Sequence, residues 1–175
     1  MYHDNRVDND IRKRMGKSLI FRYVGQERRD EILRLSEVLR FSEGDVIVRE
    51  GDQSDHVFLV INGQVSVTVK DAREDPVYLC TIGEGEIFGE AGIFLKTART
   101  ANVVSLGEAR VLRLHRKDLL DFIKRDPSTG IKVLMIIIYG LLKKLRETNQ
   151  ELAFERKADM GQEDIDDLVE SLLAD

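Results

Sequence analysis

The chain has 175 residues, of which 42% are hydrophobic and 34% charged, a balance typical of one globular domain with an appendage and not of a disordered protein. No apolar run approaches the roughly 20 residues that a membrane-spanning helix needs, and the N-terminus lacks the apolar core of a secretory signal. The net charge of −5 argues against nucleic acid as the main partner, and the single cysteine excludes an internal disulfide and favours a cytoplasmic protein.

Residues 1–40 are predicted to be a helical lead-in. Ile11, Met15 and Leu19 recur at helical spacing, and so do the apolar residues between positions 32 and 39. The pattern changes at Phe41, which marks the predicted end of the lead-in.

Residues 41–115 are predicted to form a β-sandwich or jelly-roll barrel, so the expected fold class is mainly β with flanking helices. The stretch QVSVTVK alternates strictly, and it follows VFLVI across Asn62-Gly63, a strong hairpin signal because both turn positions tolerate positive φ. The stretches VYLCTI, TANVVSL and ARVLRLH are predicted to be further strands, separated by turns rich in glycine and acidic residues. Short strands with regular turns are typical of this architecture.

Residues 116–157 are predicted to be C-terminal helices, the second of which has a heptad seam. Its members recur at alternating steps of three and four and are Ile131, Leu134, Ile138, Leu141, Leu145, Thr148 and Leu152. The seam predicts a homodimer through residues 131–152. The alternative is packing of this helix on its own barrel, for which Met135, Ile136 and Leu142 lie off the seam.

Residues 158–175 are predicted to form a separate acidic tail helix. From Asp159 to Asp175 there are seven acidic residues and no basic one, so with −5 on the whole chain the residues before them carry +2. Apolar residues between positions 165 and 173 recur at helical spacing, and Met160-Gly161 predicts a flexible break before them. The tail is expected to dock on its own barrel, on a sister chain or on a basic groove of a partner, and the alternative is a frayed, solvated end.

Residue types with catalytic or metal-binding chemistry do not cluster in the sequence. His3, His56 and His115 are scattered without the spacing of metal ligands. Cys80 lies in an apolar strand and is expected to be a buried structural thiol. The glycines of GEGE lack the ending of a phosphate loop. The sequence therefore predicts a protein that is not an enzyme and that holds no metal.

The stretch FGEAGIFLKTARTANV, residues 88–103, combines an acid, a base and little side-chain bulk. One interpretation of Glu90 and Arg99 is a surface ion pair, and the other is a pocket that holds hydroxyls with the acid and an anion with the base. Arginine grips phosphate oxygens with a planar fork, and the free N–H groups of a short helical turn can face an anion. Small residues let a sugar-phosphate approach the backbone closely. These residues are Ala91, Gly92, Ala98 and Ala101.

The stretch resembles the phosphate-binding cassette of the cyclic nucleotide-binding domains, whose pattern is Phe-Gly-Glu, a few small or apolar residues, and then Pro-Arg-small-Ala. Phe88-Gly89-Glu90 and Arg99-Thr100-Ala101 match in kind and spacing, whereas Ala98 replaces the common proline. The resemblance covers roughly Leu19 to Phe154 and includes the turns of FSEGDVIVREGD, the hairpin glycine and the long C-terminal helix. It implies a jelly-roll barrel that acts as an allosteric sensor in signal transduction.

The resemblance also implies a role for each cassette residue. Glu90 is expected to bond the ribose 2′-hydroxyl, and Arg99 is expected to bond the cyclic phosphate. The backbone of Gly89, Glu90 and Ala91 is expected to assist, and Thr100 is expected to add a hydroxyl near the phosphate or the base.

The base is expected to be read from the C-terminal helix. Thr148 and Asn149 lie where the activator-type dimer helix of the family carries the polar pair that reads adenine. Alternatively, they form a polar interruption that fixes coiled-coil register. The pair favours cyclic AMP, whereas Thr100 directly after Arg99 resembles the guanine-selective kinase sites. Cyclic AMP is the predicted ligand, and cyclic GMP stays open.

The predicted function is that of a stand-alone cytoplasmic receptor that binds cyclic AMP and transmits occupancy through its C-terminal helices to a separate effector protein. Only a short acidic segment follows Arg156, so neither a DNA-binding domain nor a membrane segment is expected. Two other classes are kept as alternatives. One is a non-ligand-binding interaction or dimerisation module, which the intact Glu90 and Arg99 disfavour, and the other is a jelly-roll enzyme, which the missing ligand cluster disfavours.

Overall fold

The computed structural model describes residues 2–3, 9–17, 21, 24–71, 73–95 and 97–173. The strands are β1 Tyr2–His3, β2 Ser36–Phe41, β3 Val46–Val48, β4 His56–Asn62, β5 Val65–Lys70, β6 Pro76–Ile82, β7 Ile87–Phe88, β8 Asn102–Ser105 and β9 Ala109–His115. The helices are α1 Asn9–Lys17, α2 Gln26–Arg34, α3 Ala91–Leu95, α4 Arg116–Arg125 and α5 Pro127–Leu173. The chain divides into two compact units, Met1–Ile138 and Tyr139–Asp175, with the boundary inside α5.

Two antiparallel sheets form the barrel of the first unit. One has the strand order β1-β2-β9-β4-β7, and the other has the order β3-β8-β5-β6. The apolar side chains between the sheets come from both of them and include Leu39, Val60, Val65, Val103 and Val111. The predicted mainly β jelly-roll with flanking helices is therefore confirmed.

Strand β4 is buried on both of its faces. Phe58 and Val60 belong to the core between the sheets, whereas Val57, Leu59 and Ile61 belong to a second core between this sheet and the helices. A strand buried on both faces has no polar face, which explains why VFLVI is a continuous apolar run instead of an alternating one. The strand after it, β5, has a partly exposed outer face and keeps the alternation.

The second core fastens the helices of the first unit to the barrel. Its helical members are Ile11, Met15, Ile32, Leu33, Leu119, Phe122, Val133 and Ile137. In the first part of α5 the residues that pack on the barrel are therefore Val133 and Ile137, with Ile136 partly buried against the same core. Met135, which the alternative of packing on the barrel would bury, is 64% exposed.

The prediction that the lead-in is helical up to residue 40 is wrong for its last part. Strand β2 begins at Ser36 and pairs with β9 along its whole length, from Ser36↔Leu114 to Phe41↔Ala109. Val38 packs on the helices and Leu39 packs between the sheets. Because both faces of β2 are buried, apolar residues stand next to each other in its sequence instead of alternating with polar ones. Together with the apolar residues of α2 they give a spacing that suggests a helix. Pairing with β9 outweighs that local pattern.

Each C-terminal helix begins at a side-chain cap. The Nδ1 atom of His115 accepts a hydrogen bond from the backbone N–H of Lys117 at the start of α4. The Asp126 carboxylate accepts from the backbone N–H and the hydroxyl of Thr129, and Pro127 follows as the first residue of α5. No helix in the part of the chain that the structure describes combines the length and the apolar composition that crossing a bilayer requires.

Two sequence expectations differ from the observed elements. Helix α5 runs without interruption through Met160 and Gly161, where a break was predicted, so the acidic tail helix is a continuation of the long helix. Strand β6 is an edge strand whose residues from Pro76 to Leu79 are exposed, and Cys80 is only half-buried.

Replacing Gly63 with alanine is expected to destabilise the fold more than the same change at Gly44. Both glycines have positive φ, +84° and +79°, but an added Cβ at Gly63 would lie 2.4 Å from the Glu108 carbonyl oxygen, whereas the space at Gly44 is open. Gly44→Ala should cost about 1–2 kcal/mol for the left-handed backbone, and Gly63→Ala roughly 1–3 kcal/mol more for the clash. Denaturant unfolding measures both, and equal losses would contradict the steric argument.

Candidate functional site

The predicted cassette begins at an edge of the five-stranded sheet. Strand β7 pairs with β4 through Phe58↔Phe88, and the two phenylalanine rings stack with centroids 4.9 Å apart. The chain then turns at Gly89, whose φ of +77° lies in the left-handed region that favours glycine, and continues into the short helix α3. The return segment carries Arg99 and leads into β8.

The guanidinium of Arg99 is buried and held by the turn that precedes β4. Its Nη2 atom donates to the Ser54 hydroxyl at 2.9 Å and to the His56 carbonyl at 2.6 Å, and Nη1 donates to the Gly89 carbonyl at 3.0 Å. Its Cζ atom lies 5.6 Å from the centroid of the Phe58 ring, within cation–π range. Only 7% of the residue is exposed. These contacts fix the cation in one orientation.

One nitrogen of this buried cation has no partner. The Nε atom of Arg99 is inaccessible to solvent and makes no hydrogen bond, although an arginine offers five N–H donors. A buried N–H without an acceptor is costly. The Nε atoms of Arg29 and Arg113 are in the same state, so what sets Arg99 apart is its place in the cassette near Glu90.

Burial and neighbouring charge shift the pKa of Arg99 in opposite directions. Burial lowers the pKa of the guanidinium from its usual value, whereas the nearby carboxylates of Asp55 and Glu90 raise it. Arginine stays protonated at neutral pH under such shifts. The site therefore keeps a positive charge in an environment where charge interacts more strongly than in water.

Two glycines leave the room that the guanidinium occupies. A Cβ added at Gly89 would lie 2.7 Å from Nη1 of Arg99 and 3.1 Å from the His56 carbonyl oxygen. A Cβ at Gly92 would lie 3.2 Å from the same Nη1 atom. Glycine at position 89 is therefore a requirement of the arginine's placement, whereas glycine at position 92 avoids a tight contact with it.

The other predicted cassette residues surround the same cation. Glu90 is 8% exposed and close enough to raise the pKa of Arg99, so the two residues do not form a surface ion pair. Ala91 and Ala101 are half-buried, and Thr100 is exposed. The structure thus brings the acid and the base together.

The predicted base-reading pair belongs to the second compact unit. Thr148 and Asn149 are both exposed on α5. Asn149 lines a surface groove together with Leu142, Leu145 and Gln150. Their role toward a base stays a prediction.

The sequence pattern missed the residues that hold Arg99. Ser54 and His56 supply acceptors, Phe58 lies against the guanidinium, and Asp55 supplies charge. The stretch REGDQSD, residues 49–55, is one of the turns rich in glycine and acidic residues that the sequence predicts, and nothing in its pattern points to Arg99. Its backbone pairs with the cassette, since Arg99 N–H donates to the Asp52 carbonyl.

The arrangement is suited to binding an anion beside a hydroxyl-bearing group. The buried cation offers a free donor, and the buried carboxylate offers acceptors. Among the residues that the structure describes, no group of three or more His, Cys, Asp or Glu side chains could hold a metal ion. Fold and site together define a jelly-roll domain with a buried arginine and a buried carboxylate beside it.

Comparison with known proteins gives this domain its family. The profile described as cyclic nucleotide-binding domain matches residues 38–126, about half of the chain. The chain therefore belongs to the cyclic nucleotide-binding domain family, a family of regulatory domains, as its cassette predicts.

Two curated relatives agree with this assignment. The chain is 30% identical over 115 residues to a CRP-like cAMP-activated global transcriptional regulator of Mycobacterium tuberculosis, an alignment that covers 65% of this chain and 49% of the regulator. It is 26% identical over 99 residues to the mouse cGMP-dependent protein kinase 2, covering 56% of this chain and 13% of the kinase. The chain thus spans about half the length of the regulator and a smaller share of the kinase.

The fold is shared with a solved cyclic nucleotide-binding domain from Methylobacillus flagellatus. The TM-score is 0.73 at 22% identity, over 82% of this chain and 81% of that one. At this identity the likeness supports the architecture alone.

Proposed function

We propose that this chain is a receptor for cyclic AMP, which it binds without hydrolysis, and that it transmits occupancy through its C-terminal helices to a separate effector protein. One observation carries the proposal, namely the buried Arg99 guanidinium that is fixed by protein acceptors and keeps Nε without one. The cyclic phosphate is the anion that this donor would accept in the family to which the chain belongs.

The buried carboxylate suits the sugar of the same ligand. Glu90 lies within the electrostatic reach of Arg99, so one ligand that carries a phosphate and a neighbouring hydroxyl can contact both. The ribose 2′-hydroxyl is that group in the proposed ligand. The main chain from Gly89 to Ala91 and the exposed hydroxyl of Thr100 would complete the contacts.

Cyclic AMP is proposed over cyclic GMP on two grounds. The Mycobacterium tuberculosis relative is a cAMP-activated regulator, and Thr148 and Asn149 present a hydroxyl and an amide that can pair with adenine. Thr100 and the mouse cGMP-dependent relative support the alternative. Isothermal titration with both nucleotides decides between them. Tighter binding of cyclic GMP would overturn the choice of ligand and leave the site intact.

Replacing Glu90 with alanine is expected to remove discrimination against 2′-deoxy cyclic AMP. In the unchanged protein the deoxy analogue should bind at least about tenfold more weakly than cyclic AMP, because a hydrogen bond to a charged group contributes roughly 1.5–3 kcal/mol. In Glu90→Ala that ratio should approach one. Glu43→Ala, at an exposed carboxylate, is the control and should keep the full ratio. If Glu90→Ala left this affinity ratio unchanged, the proposed contact between Glu90 and the ribose would be wrong.

Main-chain and packing contacts connect the surroundings of Arg99 with the C-terminal helices. The Asp55 carbonyl accepts a hydrogen bond from Arg116 N–H, the first residue of α4, at 2.6 Å. At the next joint α5 lies close to α4, since a Cβ at Gly130 would lie 2.8 Å from the Ile123 side chain. A change around Arg99 can therefore reach both helices through close-packed contacts. Coupling of this kind is typically worth ~1–3 kcal/mol.

A homodimer through residues 131–152 is also proposed. Three apolar residues of the α5 seam are more than half exposed in the single chain, namely Ile131 at 58%, Ile138 at 53% and Leu145 at 57%. A heptad seam that is exposed in one chain is the surface that a second copy covers in a coiled coil.

Leu145→Asp is therefore expected to convert a dimer into a monomer, because it would place a charge inside the seam. Tyr139→Asp, an equally exposed position off the seam, should leave the dimer intact. Light scattering on the purified chains measures both. A protein that is monomeric at micromolar concentration before any substitution would remove the dimer from the proposal.

A further inference from the structure

The Arg99 guanidinium has two kinds of acceptor. The carbonyls of Gly89 and His56 belong to the main chain, so a side-chain substitution does not remove them. The third acceptor is the Ser54 hydroxyl, 2.9 Å from Nη2. Among the described residues, Ser54 is the only one whose side chain is hydrogen-bonded to this guanidinium.

The Ser54 hydroxyl has a partner of its own on the opposite side. Its Oγ atom lies 3.4 Å from Nδ1 of His56. Burial lowers the pKa of His56, and the Arg113 guanidinium acts in the same direction, so the ring is neutral at pH 7. With its proton on Nε2, the ring accepts from the hydroxyl, which leaves the oxygen lone pairs for Arg99.

Ser54 supplies one of the three contacts that orient the guanidinium. The Gly92 backbone lies close to Nη1, and the guanidinium carbon lies over the Phe58 ring. The group is planar, so fixing Nη2 also fixes the direction of the unpaired Nε–H. Without the hydroxyl, the guanidinium keeps the Gly89 carbonyl on Nη1 and the His56 carbonyl on Nη2, so two contacts hold its plane instead of three.

We propose that Ser54 is a positioning residue for ligand binding, whose hydroxyl holds the Arg99 guanidinium so that Nε–H faces the anion. The inference rests on the proposed function, in which this anion is the cyclic phosphate. Ser54 contacts the arginine and acts through it.

Two matched pairs of variants isolate the hydroxyl from side-chain size. Ser54→Ala should weaken cyclic AMP binding about tenfold, the lower end of what a hydrogen bond to a charged group contributes, because the His56 carbonyl remains. Ser54→Thr keeps a hydroxyl and should bind within about threefold of the original protein. Ser54→Val, which has the shape of the threonine variant but no hydroxyl, should bind as weakly as Ser54→Ala. Unchanged affinity in Ser54→Ala, or equal weakness of the Thr and Val variants, would overturn the proposal.

A double-variant cycle separates positioning from a general structural effect. If Ser54 acts through Arg99, then Ser54→Ala should weaken binding no further in a chain that already carries Arg99→Ala. An equal loss in both backgrounds would mean that Ser54 acts by another route, and the proposal would fail.

A measurement without nucleotide keeps this inference distinguishable from the proposed function. In the ligand-free protein the Ser54 contact restrains rotation of the guanidinium, so the ¹⁵N-bound protons of the Arg99 Nη groups should give separate NMR signals that merge in Ser54→Ala. Arg99→Lys identifies these signals. Merged signals in the unchanged protein would refute the positioning role even if cyclic AMP binds. Separate signals in a protein that binds no cyclic nucleotide would refute the proposed function alone.

Discussion

Arg99→Ala is expected to abolish most of the affinity for cyclic nucleotide. The change removes a buried cation whose free Nε–H would meet the phosphate, together with the fork that aims it. Truncating one partner of a buried charge pair costs about 2–5 kcal/mol, which is a loss of roughly thirtyfold to several thousandfold in Kd. Isothermal titration of the purified variant measures this loss.

Two further variants show whether charge or geometry matters at this position. Arg99→Lys keeps the charge but lacks the planar fork, so it should restore only part of the affinity. Arg73→Ala removes an exposed arginine outside the cassette and should bind as the unchanged protein does. An Arg99→Ala variant that binds as tightly as the Arg73→Ala control would contradict the assignment of the site.

Gly89→Ala is expected to be nearly as damaging as the loss of the arginine itself. The residue has a φ of +77°, and its new Cβ would lie 2.7 Å from Nη1 of Arg99 and 3.1 Å from the His56 carbonyl oxygen. The guanidinium must move, and its hydrogen bond to the Gly89 carbonyl is the first contact at risk. Because binding depends on the arginine's placement, we expect a loss of about thirtyfold or more in Kd, equivalent to ~2 kcal/mol.

Gly107→Ala is the matched control for this substitution. The space at Gly107 is open and its backbone is not left-handed, so alanine fits there. Its affinity for nucleotide should be unchanged. If Gly89→Ala also bound normally, the steric account of the cassette would be wrong.

Much of the site could be predicted because the residues that would touch the ligand lie close together in the sequence. Glu90 and Arg99 belong to one short connection, and their residue types carry the chemistry directly. The same holds for the hairpin at Asn62-Gly63, where local backbone preference decides the turn.

The parts that were missed depend on contacts distant in sequence. His56 holds Arg99 through its main-chain carbonyl, which any residue type would offer, so the sequence gives no signal for it. Val38 and Leu39 form a strand because β9 pairs with them, and a local pattern cannot register that partner. The continuity of α5 through Gly161 similarly opposes the weak local preference of a single glycine.

The most direct test of the account observes the Arg99 Nε–H group by ¹H–¹⁵N NMR while cyclic AMP is added to the full chain. The account predicts that this resonance shifts progressively as the charged N–H gains a phosphate acceptor, and that the shift saturates at one nucleotide per chain. A resonance that stays in place while nucleotide binds, or the absence of any binding at millimolar cyclic AMP and cyclic GMP, would contradict it.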